Sequence, residues 1–180
     1  MMMIMGTQDL ASRLSQLVWE SVTDFMEEGS LGLGSTRSAQ AIVGRSVDVD
    51  EILIFFLWVH TRVVQQAFAP RYPGEVVKTL LDGMHRHVFA DLEQHGMASS
   101  RLPIFEQLIS ARYAEYYSAA KGEDSMIGRV AALYVDEEGI GEAGGADPMA
   151  AALAQAATDA AGPLRDFLEE VQLAPAPAVA

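Results

Sequence analysis

Apolar side chains return every three or four residues along most of this chain, which is the spacing of amphipathic helices. From Gln8 to Glu28 the stripe is Leu10, Leu14, Leu17, Val18, Val22, Phe25 and Met26, with Thr7 placed as an N-cap and Gly29 as the stop. A second stripe is almost continuous. Ile52 to Val59 is apolar at every position, and Val63, Val64, Ala67 and Phe68 extend it at helical spacing beyond ordinary strand length, so a central buried helix is predicted over about 50–68. Pro70 and Pro73 end it.

A third helix starts at Glu75, carries Val77, Leu80, Leu81, Met84, Val88 and Leu92, and ends near Gly96, with Gly83 marking a close helix contact. Pro103 opens a fourth, with Phe105, Leu108, Ile109, Tyr113, Tyr116 and Ala120 on its face. A short fifth element runs from Asp124 or Ser125 to Tyr134. Asp147-Pro148 then opens an Ala-rich helix that Gly162-Pro163 interrupts, and Leu164 to Leu173 adds a last amphipathic turn or two. The Ala-rich helix is suited to docking on the bundle or on a second copy of the chain. Residues 29–47 read as a flexible connector with a helical turn near Ala39 to Val43, 136–147 as an acidic Gly-rich loop, and 174–180 as a disordered tail. The expected fold is therefore all-α, a single-domain bundle of about five to seven helices over residues 1–173.

Composition narrows the partners. With 25 acidic against 12 basic side chains the formal net charge is −13, a field that repels nucleic acid and anionic lipid surfaces. The longest apolar run is far short of the ~20 residues that span a bilayer, so no membrane insertion is expected. The opening Met1 to Gly6 lacks a basic region and a long apolar core, and is not read as an export signal. The sequence has no cysteine, which excludes disulfides and thiolate metal sites and suits a reducing cytoplasm.

Two glycine-rich strings imitate phosphate loops. Gly139-Ile140-Gly141-Glu142-Ala143-Gly144 lacks a strand-helix setting and puts Glu142 where a pyrophosphate would approach, and Gly29 to Thr36 lacks the lysine of a P-loop. No G-x-S-x-G elbow and no Glu-x-x-His pair of a di-metal bundle occurs, so neither a catalytic residue nor a cofactor nor a bound metal is assigned.

Polar chemistry enters the helical stripes at a few places. Asp91 and His95 project beside Val77, Met84 and Val88 on the third helix, while Arg112 lies on the stripe of Phe105, Ile109 and Tyr116 on the fourth. His60 falls inside the central run, and His85 and His87 toward the flanks of their helix. An ion pair from Arg112 to Asp91 is expected, with Glu115 as a second acceptor and the phenols of Tyr113, Tyr116 and Tyr117 nearby. The plain reading of this constellation is a buried network that fixes helix register.

The absence of catalytic motifs, the Ala-rich last helix, the methionines and the acidic loop favour a non-enzymatic cytoplasmic interaction, regulatory or assembly-factor protein, self-associating or bound to a basic protein partner. The alternative is a bundle that binds a small molecule or metal in a polar pocket between the second, third and fourth helices, with His60, Asp91, His95, Arg112 and Tyr116 as its ligand-binding residues. A third class, an enzyme with His95 as base and Arg112 holding an anion, has less behind it.

Overall fold

The computed structural model describes residues 2–31, 49–120 and 148–174. In chain order they form strand β1 (Met3–Met5), helix α1 (Thr7–Leu31), α2 (Val49–Phe68), α3 (Gly74–Gln94), a 3-10 turn at Ser99–Arg101, α4 (Leu102–Ala119), α5 (Pro148–Glu170) and strand β2 (Val171–Leu173). The fold is an all-α, single-domain bundle, with five α-helices among the described residues. The expected element from 124 to 134, the acidic loop at 136–147 and most of the 29–47 connector lie outside those residues.

Helix α2 forms the axis. Every residue from Ile52 to Thr61 is buried, as an apolar run with no polar face requires. Each buried Leu, Ile or Phe contributes about 1.5–3 kcal/mol relative to exposure, so covering α2 on all sides is the largest favourable term in the fold. Helices α1, α3, α4 and α5 all pack on it.

Helices α1 and α3 make the most intimate pair. Gly83 faces Ala11 so closely that a Cβ built on the glycine would lie 2.9 Å from the alanine Cβ. Further along, the Trp19 indole Nε1–H donates to Asp91 Oδ2 at 3.1 Å. Both contacts carry the same sequence offset, so the two helices run parallel in a fixed register. Helix α1 itself continues to Leu31, past the expected stop at Gly29.

Helix α3 stops for a local reason. Gly96 takes φ +102, and the amides of Gly96 and Met97 donate back to the carbonyls of Glu93 and Leu92, closing a Schellman turn over the last helical carbonyls. Pro103 then sits in the first turn of α4, where its missing N–H costs nothing.

The end of the chain departs from expectation. Helix α5 passes through Gly162 and Pro163 without a break, and buries Leu153, Ala157, Ala161, Leu164 and Leu168 on the bundle. Residues 171–173 are a strand rather than a further helical turn. They pair in parallel with β1, Met3 opposite Val171 and Met5 opposite Leu173, and Ala174 N–H donates to the Met5 carbonyl at 2.8 Å. Ala174 is thus held in place, while 175–180 lie outside the described residues. The other edge of β2 is clasped by the corner between α2 and α3. Arg71, resting against the rings of Phe68 and Tyr72, donates to the carbonyls of Leu168 and Val171 at 3.0 and 2.6 Å, and the Tyr72 hydroxyl accepts the Leu173 N–H at 2.9 Å. Among the described residues no helix is long and apolar enough to cross a membrane.

Gly83→Ala tests the α1–α3 contact. Alanine is the better helix former by about 1 kcal/mol, yet the added methyl meets a rigid neighbour at an overpacking cost of roughly 1–3 kcal/mol, so we expect a net loss of up to about 2 kcal/mol in urea unfolding. Ala11→Gly in the same chain should recover part of that loss, and a stabilised Gly83→Ala protein would refute the close approach.

Candidate functional site

The residues expected to form one constellation are distributed over separate contacts. Arg112 reaches α2: its Nε donates to both carboxylate oxygens of Glu51 at 2.9 and 3.1 Å, and its Nη2 to Glu51 Oε1 at 2.8 Å. Nη1 donates to Glu115 at 3.0 Å. The expected pair with Asp91 is not formed, because Asp91 turns toward α1 and accepts the Trp19 indole. His95 is exposed at the end of α3, with Nδ1–H donating to the Asp91 carbonyl at 2.7 Å, so it caps a helix instead of facing the core. Tyr116 is buried edge-on to Phe55 and Trp58. Four of the five candidates therefore serve helix docking and termination.

A partly buried polar network does join the second, third and fourth helices, built from other side chains. Thr61 on α2 donates to the Leu57 carbonyl at 2.8 Å. His85 on α3 donates from Nδ1 to the Leu81 carbonyl at 2.8 Å, since a carbonyl has no proton to give. Its Nε2 then carries a lone pair, which accepts the Tyr113 hydroxyl at 2.9 Å, and the phenol oxygen lies 3.3 Å from Thr61 Oγ1. Each proton in the chain has one acceptor. Burial lowers the His85 pKa and raises that of Tyr113, so both stay neutral at physiological pH. Alongside, Tyr117 donates to Gln65 and lies under the Arg62 guanidinium. The signal in the sequence was present: Leu81, His85 and Phe89 share one face of α3, at successive steps of four.

His60 stands apart from this network and lines a cavity of about 430 Å³ between α1, α2 and α5. Helix α1 supplies Arg13, Leu17, Glu20, Ser21, Asp24 and Phe25. Helix α5 supplies Ala156, Asp159, Ala160, Pro163, Leu164 and Phe167. The apolar members form the walls, and exposed charges form the rim. Ala156 and Ala160 keep the walls apart. Pro163, inside α5, has no N–H to donate to the Asp159 carbonyl one turn back, which leaves that acceptor short of its usual donor beside the cavity.

The imidazole of His60 is the one deeply buried polar group in the lining. Its Nδ1–H donates to the Phe56 carbonyl at 2.8 Å, so Nε2 is an acceptor, and it has no partner among the described residues. Burial holds its pKa down to about 4, and the ring is neutral. Ser21 spends its proton on the Leu17 carbonyl, so serine and histidine are not assembled as nucleophile and base. At the rim Arg13 is engaged by Glu20 at 3.2 Å and by Gln16, Asp159 accepts from Gln155, and Asp24 makes no ion pair or hydrogen bond among the described residues. No group of three or more metal-binding side chains occurs among the described residues. Both glycine-rich strings lie wholly or mostly outside them.

No protein-family model, curated protein or solved structure matches the chain. The cavity must speak for itself.

Two measurements follow from these polar groups. Tyr113→Phe leaves the buried His85 Nε2 without its donor and should cost about 1–3 kcal/mol in urea unfolding, whereas adding His85→Leu should give back part of that loss. For His60 the unfolded ring titrates near 6.5 and the folded one near 4, so on lowering the pH the unfolded state takes up the proton first. That contribution is complete above pH 6.5 and is lost progressively toward pH 4. Between pH 7 and about 5.2, still above the isoelectric point, the wild-type protein should lose roughly 1.5–2 kcal/mol more than His60→Leu, and equal losses would contradict a neutral buried ring.

Proposed function

We propose that this chain is a non-enzymatic helical protein that binds a small organic molecule in the cavity between α1, α2 and α5. The observation that carries this reading is the His60 acceptor: a neutral imidazole in the cavity lining, with one nitrogen tied to its own helix and the other without a partner among the described residues. A neutral imidazole whose Nδ1–H is engaged keeps an acceptor at Nε2 that a ligand N–H or O–H can meet. A cavity of a few hundred Å³ with apolar walls and a few convergent polar groups is the usual form of a small-molecule site. The placement differs from the sequence expectation in its helices, while His60 is common to both. A cytoplasmic setting suits the cysteine-free sequence, and the net charge of −13 disfavours nucleic acid as a partner.

A second reading, a protein that associates with itself or with another chain, is favoured by β1. Met2, Met3 and Ile4 are 67%, 48% and 70% exposed, and the β1 edge away from β2 offers main-chain groups to a further strand.

Native mass spectrometry of the protein from expressing cells, followed by titration with neutral indole, tests the first reading. We expect a small organic adduct or, failing retention, indole binding, and we expect Ala160→Phe to abolish either while circular dichroism stays unchanged. Wild-type protein that retains nothing and takes up no indole would sink the cavity reading, and a dimer mass lost on Ile4→Asp would instead support the second.

A further inference from the structure

Resting on the cavity reading, we infer that the ligand is an amphipathic organic cation: an apolar body with an ammonium group at the rim beside Asp24 and Asp159, and an N–H or O–H donor directed to His60 Nε2. Three independent features of the cavity point the same way.

The first is charge. The described lining residues include the carboxylates of Glu20, Asp24 and Asp159 and the guanidinium of Arg13. Arg13 and Glu20 neutralise one another, so the rim retains two negative charges on opposite sides, Asp24 on α1 and Asp159 on α5. Among the described lining residues the one cation, Arg13, is already engaged, so an anion would face two carboxylates across a low-dielectric gap. The second is the backbone. Pro163 withholds a donor from the Asp159 carbonyl, adding a neutral acceptor next to the Asp159 carboxylate. The third is the inner wall, where the polar atom on offer is again an acceptor, His60 Nε2.

The lining therefore presents acceptors at both ends and hydrocarbon between, from Leu17, Phe25, Ala160, Leu164 and Phe167. A bare metal ion does not suit it, since the carboxylates and the imidazole are not gathered into a common ligand set. An amine does: its ammonium group has several N–H donors for rim acceptors, and aromatic faces at Phe25 and Phe167 suit the body that carries it. The volume of about 430 Å³ admits a single-ring or two-ring amine.

Isothermal titration of the full chain with four phenyl compounds separates these contributions. Tyramine has the ammonium and the hydroxyl, phenethylamine has the ammonium alone, 4-ethylphenol is the neutral hydroxyl compound, and 3-(4-hydroxyphenyl)propionate is the anion. We expect tyramine to bind about tenfold tighter than 4-ethylphenol, and the propionate to bind weakest. The combined variant Asp24→Asn and Asp159→Asn, at two exposed positions where asparagine can still accept the Gln155 hydrogen bond made to Asp159, should bring tyramine to the level of 4-ethylphenol and leave 4-ethylphenol itself unchanged. Tyramine should exceed phenethylamine several-fold, a difference that His60→Leu removes. Raising the salt from 50 to 500 mM should narrow the gap between tyramine and 4-ethylphenol. If 4-ethylphenol and tyramine bind alike, or the propionate binds best, the cation inference is overturned while the cavity reading stands. If none of the four binds, the cavity reading itself fails and this inference with it.

Discussion

Everything in this bundle answers to the burial of α2. A helix without a polar face from Ile52 to Thr61 has to be wrapped on every side, and α1, α3, α4 and α5 are arranged to do so. The last two residues of that buried stretch, His60 and Thr61, are polar. Each meets its first obligation inside its own helix, by donating to the carbonyl four residues back. Each then has acceptor capacity left over. Successive helical residues point about 100° apart, so the two leftover acceptors look toward different neighbours: Thr61 to Tyr113 on α4, and His60 to the space beside α1 and α5.

These two sites are the dry and open solutions to the same problem. On the Thr61 side the Tyr113 phenol gives its proton to His85 and rests 3.3 Å from Thr61 Oγ1, so every proton is assigned and neutral groups join three helices. The His60 Nε2 has no partner among the described residues. The facing positions on α5 are Ala156 and Ala160, which supply no donor and too little bulk to close the gap.

Much of the architecture was legible along the chain because helical stripes are local. The buried helix at 50–68 follows from its apolar run, and Gly83 marked a close contact before its partner Ala11 was known. Which stripe meets which is not local. Asp91 and Arg112 were both placed on inward faces, but the wheel of α3 cannot say that Asp91 looks to Trp19 on α1, nor that the long Arg112 side chain reaches Glu51 near the start of α2. On the wheel of α3 His85 falls toward a flank, whereas in the fold it shares a line with Leu81 and Phe89 toward Tyr113. The strands were hidden for another reason. Three-residue segments at opposite ends of the chain have too few positions to show a period of two, and their pairing depends on Arg71 and Tyr72, about a hundred residues from β2.

The Ala-rich helix is where composition and function meet. Alanine gives α5 its helical propensity and permits close packing at Ala157 and Ala161, on the face that covers α2. On the adjoining face the same small side chain does the opposite and leaves space, since no ridge projects from Ala156 and Ala160 into the groove of α1. Pro163 adds to this by breaking the carbonyl ladder at Asp159 while leaving the helix continuous. A helix chosen for packing alone would gain stability from a Leu or Met at those positions, filling the gap with about 0.8 kcal/mol per buried methylene. Small residues there, near an imidazole nitrogen and two carboxylates that have no ion-pair partner among the described residues, are understandable if the space belongs to a molecule that brings its own hydrocarbon, its own donor and a positive charge.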